Sequence, residues 1–186
     1  MGERSDQVTV LLRRLDDGEA RAAQDLMPLV FAELRSRAGR LMAGERADHT
    51  LQRTALVHEV FLRLVKPGAT FESRLHFYNA AALAMRRILV DHAAQRRAQK
   101  RGGGLRAVSL DDVDVAGDGP AVDILALDEA LKKLAERSPR QAQVVNLRFF
   151  AGLKDAETAE LLGVTDKTVR RDWQTARLWL YDEMSK

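Results

Sequence analysis

Apolar residues recur at intervals of three and four along almost the whole chain, and the alternation expected of half-buried strands is nearly absent. That periodicity predicts a helical protein. Val8, Leu11, Leu12 and Leu15 fit the inner face of a short helix over 7–15, ended by Asp16-Asp17-Gly18. A second helix begins near Glu19. Pro28 then interrupts the pattern just after Met27. Proline lacks the N–H that an interior helical position needs but suits a first turn. It is therefore read as opening a third helix that carries Leu29, Val30, Phe31, Leu34, Ala38 and Leu41 and ends near Met42. Residues 43–53 are polar and irregular and predict a loop.

Thr54 is placed to cap a helix over 55–65, where Leu56, Val57, Val60, Phe61, Leu64 and Val65 make a broad apolar stripe. Such a stripe suits a helix buried on two sides or one that keeps a face for a partner, and the pattern leaves both open. Lys66-Pro67-Gly68 ends it. A long helix is predicted over 74–101. At about 100° per residue its Phe77, Ala81, Ala84, Ile88 and His92 share one side, while Arg86, Arg87, Arg97, Lys100 and Arg101 fall on the opposite half. Gly102-Gly103-Gly104 terminates it. Composition then changes abruptly, with five Asp between positions 111 and 123. This stretch has too little apolar area to offset the entropy of ordering and reads as a flexible acidic linker over 105–123.

A new run of helices starts at Ile124, with Leu125, Leu127, Leu131 and Leu134 as its inner positions. Ser138-Pro139-Arg140-Gln141 has the form of a capping box with proline at the first helical position. Val144, Val145, Leu147 and Phe150 follow on one face until Gly152. The fold class is therefore all-α: two small helical domains, 1–104 and 124–186, joined by the linker.

The most informative stretch is DAETAELLGVTDKTVRRDWQTARLWL, residues 155–180. Ala156, Ala159, Leu161 and Leu162 fit the buried face of a short helix, and Gly163 supplies a residue that can turn with positive φ. Thr165 is a good N-cap, and Asp166 suits the positive helix end. Val169, Trp173 and Ala176 then line an inner face. Lys167, Thr168, Arg170, Arg171, Gln174 and Arg177 line the outer one. These side chains contact phosphates or read base edges in a major groove. An ordinary helical hairpin with a solvated charged face is the plainer alternative. The small residue, the glycine, the cap and the basic outward face together favour a helix-turn-helix presented to DNA.

Charge sharpens that picture locally and not globally. The formal net charge is only +3, with a sequence pI near 9.4, too weak a bias to name a partner. Between Arg86 and Arg106, however, seven Lys/Arg face one Asp. A face of this kind can follow a phosphate backbone by releasing counterions. Phe77, Tyr78 and Asn79 precede it, and aromatics beside basic residues suit unstacked bases, although Phe77 fits the core better.

Other chemistry is missing. There is no cysteine, so disulfides and thiolate metal sites are excluded, as suits a reducing cytoplasm. The four His, at 49, 58, 76 and 92, lack metal spacing, and no HExxH, GxSxG, Walker or GxGxxG sequence occurs. His58-Glu59 and Asp91-His92 are adjacent pairs, which point to different sides of a helix. No apolar run approaches the roughly 18 residues of a membrane span. A soluble cytoplasmic protein without enzymatic activity, metal or cofactor is expected.

The order of segments resembles that of the extracytoplasmic-function (ECF) sigma factors, the two-domain initiation subunits of bacterial RNA polymerase, and within them an ECF-like subgroup. The resemblance covers nearly the whole chain. TALVHEVFLRL, residues 54–64, is similar to the helix that docks on the polymerase clamp. HFYNAAALAMRRILVDHAAQRRAQKRGG, residues 76–103, is similar to the helix that contacts and melts the −10 element. Residues 138–180 are similar to the domain that reads the −35 element. The resemblance implies that Leu56, Val57, Glu59, Phe61 and Leu62 face the polymerase. It places Asn79, Arg86, Arg87, Arg96, Arg97, Lys100 and Arg101 near −10 DNA, with the loop 66–75 taking a flipped base. Thr165, Lys167, Thr168, Arg170, Arg171, Gln174 and Arg177 would meet the −35 element. The implied partners are core RNA polymerase (clamp and flap) and promoter DNA, with room for an anti-sigma factor and no membrane.

Three departures from the family pattern stand out. Ala55 and His58 thin the acidic run that commonly opens the clamp helix. Lys154-Asp155 stands where Ser-Tyr is frequent, leaving Asp155 to cap one residue later. Thr158 occupies a position where Ile is often buried. The rival function is a free-standing helix-turn-helix regulator that acts without polymerase; a pure interaction protein would leave both basic faces unexplained.

Overall fold

The computed structural model describes residues 2–41, 53–65, 70–99, 108–109 and 121–186. The fold is all-α. Helices α1 (Gly2–Asp16), α2 (Ala20–Leu41), α3 (Arg53–Leu64) and α4 (Arg74–Gln99) form an N-terminal half. Helices α5 (Ile124–Arg137), α6 (Pro139–Val145), α7 (Asp155–Leu162) and α8 (Asp166–Met184) form a C-terminal half, with a π-helical segment (Asn146–Phe150) running on from α6.

The predicted break at Pro28 is not present: α2 is one helix with Pro28 inside it. An interior proline costs about 3 kcal/mol. Leu26, Val30 and Leu34 are buried at successive steps of four on either side of it, so one continuous apolar stripe offsets that cost. Pro28 itself is exposed, where water can hydrate the carbonyl that the missing N–H leaves free. Phe31, Ala38 and Leu41, expected on the same face, have side chains outside the described residues, as do the predicted loop 43–53 and Gly102–Gly104.

Thr54 lies inside α3 and not ahead of it. The broad stripe of this helix goes mostly inward, with Leu56, Val57, Val60 and Leu64 buried between α2 and α4. Ser73 caps α4 instead: its Oγ accepts the His76 N–H at 3.1 Å. Phe77, Ala81, Ala84 and Ile88 are buried as the periodicity predicted, and Tyr78, Ala82 and Met85 join them. Phe71, Phe77 and Tyr78 pack edge to face, so these aromatics belong to the core and are not open to bases. The Phe71 N–H donates to Asp16 at 2.7 Å, tying the segment before α4 to the end of α1.

The linker expectation is corrected at its ends. Val108–Ser109 (β1) and Ala121–Val122 (β2) pair antiparallel, with Val108 opposite Val122 and Ser109 opposite Ala121; the remainder of 105–120 lies outside the described residues. Asp123 then caps α5, its carboxylate accepting the Leu125 N–H at 2.8 Å. The predicted capping box at Ser138 is not made: Pro139 takes the first helical position, but the Ser138 side chain makes no cap bond. The C-terminal half closes around Leu127, Leu131, Leu134, Val144, Val145, Leu147, Phe149 and Phe150, all fully buried. Its core is continuous with that of the N-terminal half. The two halves meet through α4, which touches α5, the π-helical segment and α7.

Candidate nucleic-acid interface

Local chemistry fixes the turn between α7 and α8 at both ends. At the start of α7 the Lys154 N–H donates to the Glu157 carboxylate at 2.7 Å. Lysine has no acceptor to return, so this is half of a capping box. Asp155, expected as the cap, is the first residue of the helix and turns to Arg148 instead, at 3.0 Å. Thr158 and Ala159 are the buried pair of α7, while Ala156 is exposed. Gly163 ends the helix at φ 65°. The Val164 N–H reaches the Ala159 carbonyl at 3.0 Å and the Gly163 N–H reaches that of Glu160 at 3.4 Å, the two bonds of a Schellman motif. Two residues later Thr165 Oγ1 accepts the Thr168 N–H at 3.2 Å and opens α8.

Two contacts of charged side chains, each with one buried member, hold α8 from behind. Asp172, only 3% exposed, accepts from Arg140 Nε at 2.6 Å and so joins α8 to α6. Arg148, 2% exposed, comes from the π-helical segment and lies 4.6 Å from the centroid of the Trp173 ring. It links that ring to Asp155 at the start of α7. Around these contacts Val169, Trp173, Ala176 and Leu180 bury an inner stripe at spacings of three and four. A buried charge adds little net stability but is costly to leave unpaired, so Asp172 and Arg148 favour the orientation that keeps their partners. The rotation of α8 about its axis is thereby set.

That rotation points Lys167, Arg170, Arg171 and Gln174 outward, with Thr165 at the tip. Lys167, Arg171 and Gln174 make no hydrogen bond or ion pair among the described residues. Arg170 leans back toward Asp155, at 3.7 Å, and Thr168 spends its hydroxyl on Thr165 at 3.0 Å. Arg177 is half-buried. The first three turns of α8 thus offer two cations without an ionic partner among the described residues and an amide, the donor set that contacts phosphates and reads guanine or adenine edges.

The basic face of α4 is arranged differently. Arg87 is exposed and Asn79 half-buried, but Arg86 is taken up within the chain. Its Nε donates to the Asp128 carboxylate at 2.6 Å and its Nη2 donates to the Asp128 carbonyl at 2.7 Å. Only 11% of the Arg86 side chain and 14% of that of Asp128 are exposed. Burial disfavours the charged form of Asp128 and is the largest single influence on it. Lys132 and Arg86 together outweigh that effect and hold the carboxyl below its usual range. Arg86 is therefore not open to DNA in this arrangement, a correction to its place in the −10 set. The side chains of Arg96 and Arg97, together with Lys100 and Arg101, lie outside the described residues.

The expected polymerase face is corrected as well. Leu56 and Val57 are 0% and 1% exposed because α2 and α4 cover them, and they cannot meet a partner without unfolding the core. What α3 shows outward is Leu62, 59% exposed, beside His58, half-buried Phe61, and Glu59 paired with Arg63 at 2.7 Å.

Sequence reasoning passed over Leu83, which is 42% exposed on α4. It lies four residues from both Asn79 and Arg87 and so between them on one face, and that spacing was the signal. It also missed Arg148, Asp172 and Arg140, whose burial or pairing depends on helix crossings that no local pattern encodes. No helix among the described residues is long and apolar enough to cross a membrane, and no metal-ligating cluster occurs among them.

No curated protein and no solved structure matches the chain. A family model described as ECF sigma factor matches residues 5–186, and so takes in the α3 and α4 surfaces together with the helix-turn-helix. The chain therefore belongs to the ECF sigma factors, the RNA polymerase subunits that act in transcription initiation at promoter DNA and are not enzymes.

Proposed function

We propose that the chain directs core RNA polymerase to a defined set of promoters, with α8 in the major groove of the −35 element and α4 at the −10 element. The observation that carries this reading is the outward row Lys167, Arg170, Arg171 and Gln174 on a helix whose rotation is fixed by Arg148 and Asp172. Work divides between the two halves. Residues 124–186 read duplex DNA. Residues 1–104 dock on the polymerase clamp through Leu62, Phe61 and Glu59 and assist opening at −10 through Asn79, Leu83 and Arg87. Opening needs no covalent chemistry from this subunit: bases released from the stack bind more favourably than paired ones, so binding energy drives melting. Contact with the polymerase flap, and an anti-sigma factor covering either surface, fit the same reading.

Run-off transcription with core polymerase on genomic promoter fragments tests it. Promoter-specific initiation should depend on adding the chain and fall when Leu62→Ala and Glu59→Ala are combined. Tight duplex binding that produces no polymerase-dependent initiation would instead favour a free-standing regulator and withdraw the roles given to α3 and α4.

A further inference from the structure

The outward row of α8 is not uniform. Lys167 and Arg171 have no ionic partner among the described residues, whereas Arg170 is held from α7. Its Nε lies 3.7 Å from Asp155 Oδ2 and donates to the Asp166 carbonyl at 3.5 Å. Both contacts fall on Nε, so the edge carrying Nη1 and Nη2 stays open on a side chain that is 64% exposed. The carboxylate is itself anchored from behind. Asp155 Oδ1 lies 3.0 Å from Nε of Arg148, whose side chain is 3% exposed. Arg148 in turn covers the ring of Trp173, which lies one turn along α8 from Arg170. The path of contacts therefore leaves α8 at Trp173 and returns to it at Arg170, by way of the π-helical segment and the start of α7.

The hydrogen-bonding capacity of Asp155 is not spent by the fold. Its contact with Arg148 is an ion pair without hydrogen-bond alignment, and Oδ1 is buried with no donor among the described residues. At 3.7 Å the contact of Oδ2 with Arg170 is too long for a hydrogen bond as well. A carboxylate with acceptors unspent beside an exposed guanidinium calls for a role beyond packing. We infer that Asp155 is a positioning residue for Arg170: it holds the guanidinium by its Nε edge, so that Nη1 and Nη2 together meet O6 and N7 of one guanine in the −35 major groove. Arginine can serve both partners at once because its donors are fixed in a planar fork. Holding one edge in advance also reduces the freedom lost on binding. The assignment rests on the reading of α8 as the −35 helix.

Selection from random duplexes by the full-length chain, alone and bound to core polymerase, tests it. The unmodified chain should prefer guanine over any other base at one −35 position by about tenfold, the discrimination of a bidentate pair. Arg170→Ala should erase that preference. Asp155→Asn should reduce it to roughly twofold at the same position and leave the other positions as they were. It should not weaken sequence-independent binding, since it removes a negative charge beside the DNA. Asp155→Glu keeps the carboxylate and should keep most of the preference. Adding Asp155→Asn to Arg170→Ala should change nothing further, because the two residues act as one unit. A role confined to packing α7 on α8 predicts equal losses at every position, and that result overturns the inference. If Asp155→Asn does not fold because Arg148 loses its partner, Arg148→Met combined with it removes both charges and must show the same single-position loss. If neither form of the chain prefers any duplex, the reading of α8 falls and the role of Asp155 with it. A sequence preference that is present but indifferent to Asp155 overturns the positioning role alone.

Discussion

Helices α4 and α8 carry basic residues in comparable numbers, yet the structure treats them oppositely. In α8 the buried stripe is narrow, running through Val169, Trp173, Ala176 and Leu180, and the opposite face is left to solvent. Of the acidic side chains in and around α8, Asp172 and Asp155 are engaged chiefly by Arg140 and Arg148 from behind. Lys167 and Arg171 therefore remain uncommitted among the described residues. In α4 burial spreads through Phe77, Tyr78, Ala81, Ala82, Met85 and Ile88, and Arg86 meets a carboxylate delivered by α5. A basic helix face thus stays open to an anionic partner only where the rest of the chain brings no carboxylate to it.

The contrast breaks most severely at Trp173, whose ring carries the inner face of α8 and the Arg148 contact. Trp173→Ala should cost about 3–5 kcal/mol, read from the urea midpoint, and should abolish duplex binding along with it. Retained sequence-specific binding by a folded variant would show that the rotation of α8 is set elsewhere. Arg171→Ala comes next. It should leave stability unchanged and weaken specific −35 binding by about 1–3 kcal/mol if the guanidinium reads a base. Arg87→Ala, on α4, should weaken binding to a −10 single strand with little dependence on sequence and with a shallower salt slope. Equal losses on all duplexes for Arg171→Ala would move that residue to the phosphate-contacting set.

Legibility differed between the halves for the same reason. The helix-turn-helix is built from short-range rules: Gly163 at positive φ, Thr165 bonding Thr168 three residues on, and a buried stripe at steps of three and four. Each was readable from a window of a few residues, and the order of segments pointed to the family across almost the whole chain. The failures fall where a distant segment decides. Leu56 and Val57 looked available because a stripe on one helix does not say how many neighbours cover it. Pro28 looked like a break because local propensity outweighs, on paper, a stripe that continues past it. Arg86 looked free because its partner Asp128 is forty-two residues away.

A smaller effect is expected inside α7. Thr158 is fully buried, and its Oγ1 has no hydrogen-bond partner among the described residues. A buried hydroxyl left unsatisfied costs about 1 kcal/mol or somewhat more. Thr158→Val keeps the shape, removes the hydroxyl and should raise stability by about that amount, seen as a higher urea midpoint with an unchanged slope. A loss of stability would mean that the hydroxyl bonds a water or a group outside the described residues. The core of the C-terminal half would then already be optimal at this position.

The subtlest expected effect concerns pH and bears on the α4 side of the comparison. Because the folded state holds the Asp128 carboxyl below its usual range, the folded chain binds fewer protons there than the unfolded chain. Stability from this group is therefore complete above the ordinary carboxylate range, and it is lost as pH falls below that range through the lowered value. Asp128→Asn removes the contribution at every pH. The difference in urea midpoint between the unmodified chain and Asp128→Asn should be constant from pH 8 to about pH 5 and narrow toward pH 3. Lys132 touches the same carboxylate from within α5 at 3.0 Å, so the experiment needs Arg86→Gln as its partner. If the narrowing survives in Arg86→Gln, the low-pH loss belongs to the Lys132 contact inside α5. If it disappears, the titration reports the Arg86–Asp128 contact that joins α4 to α5.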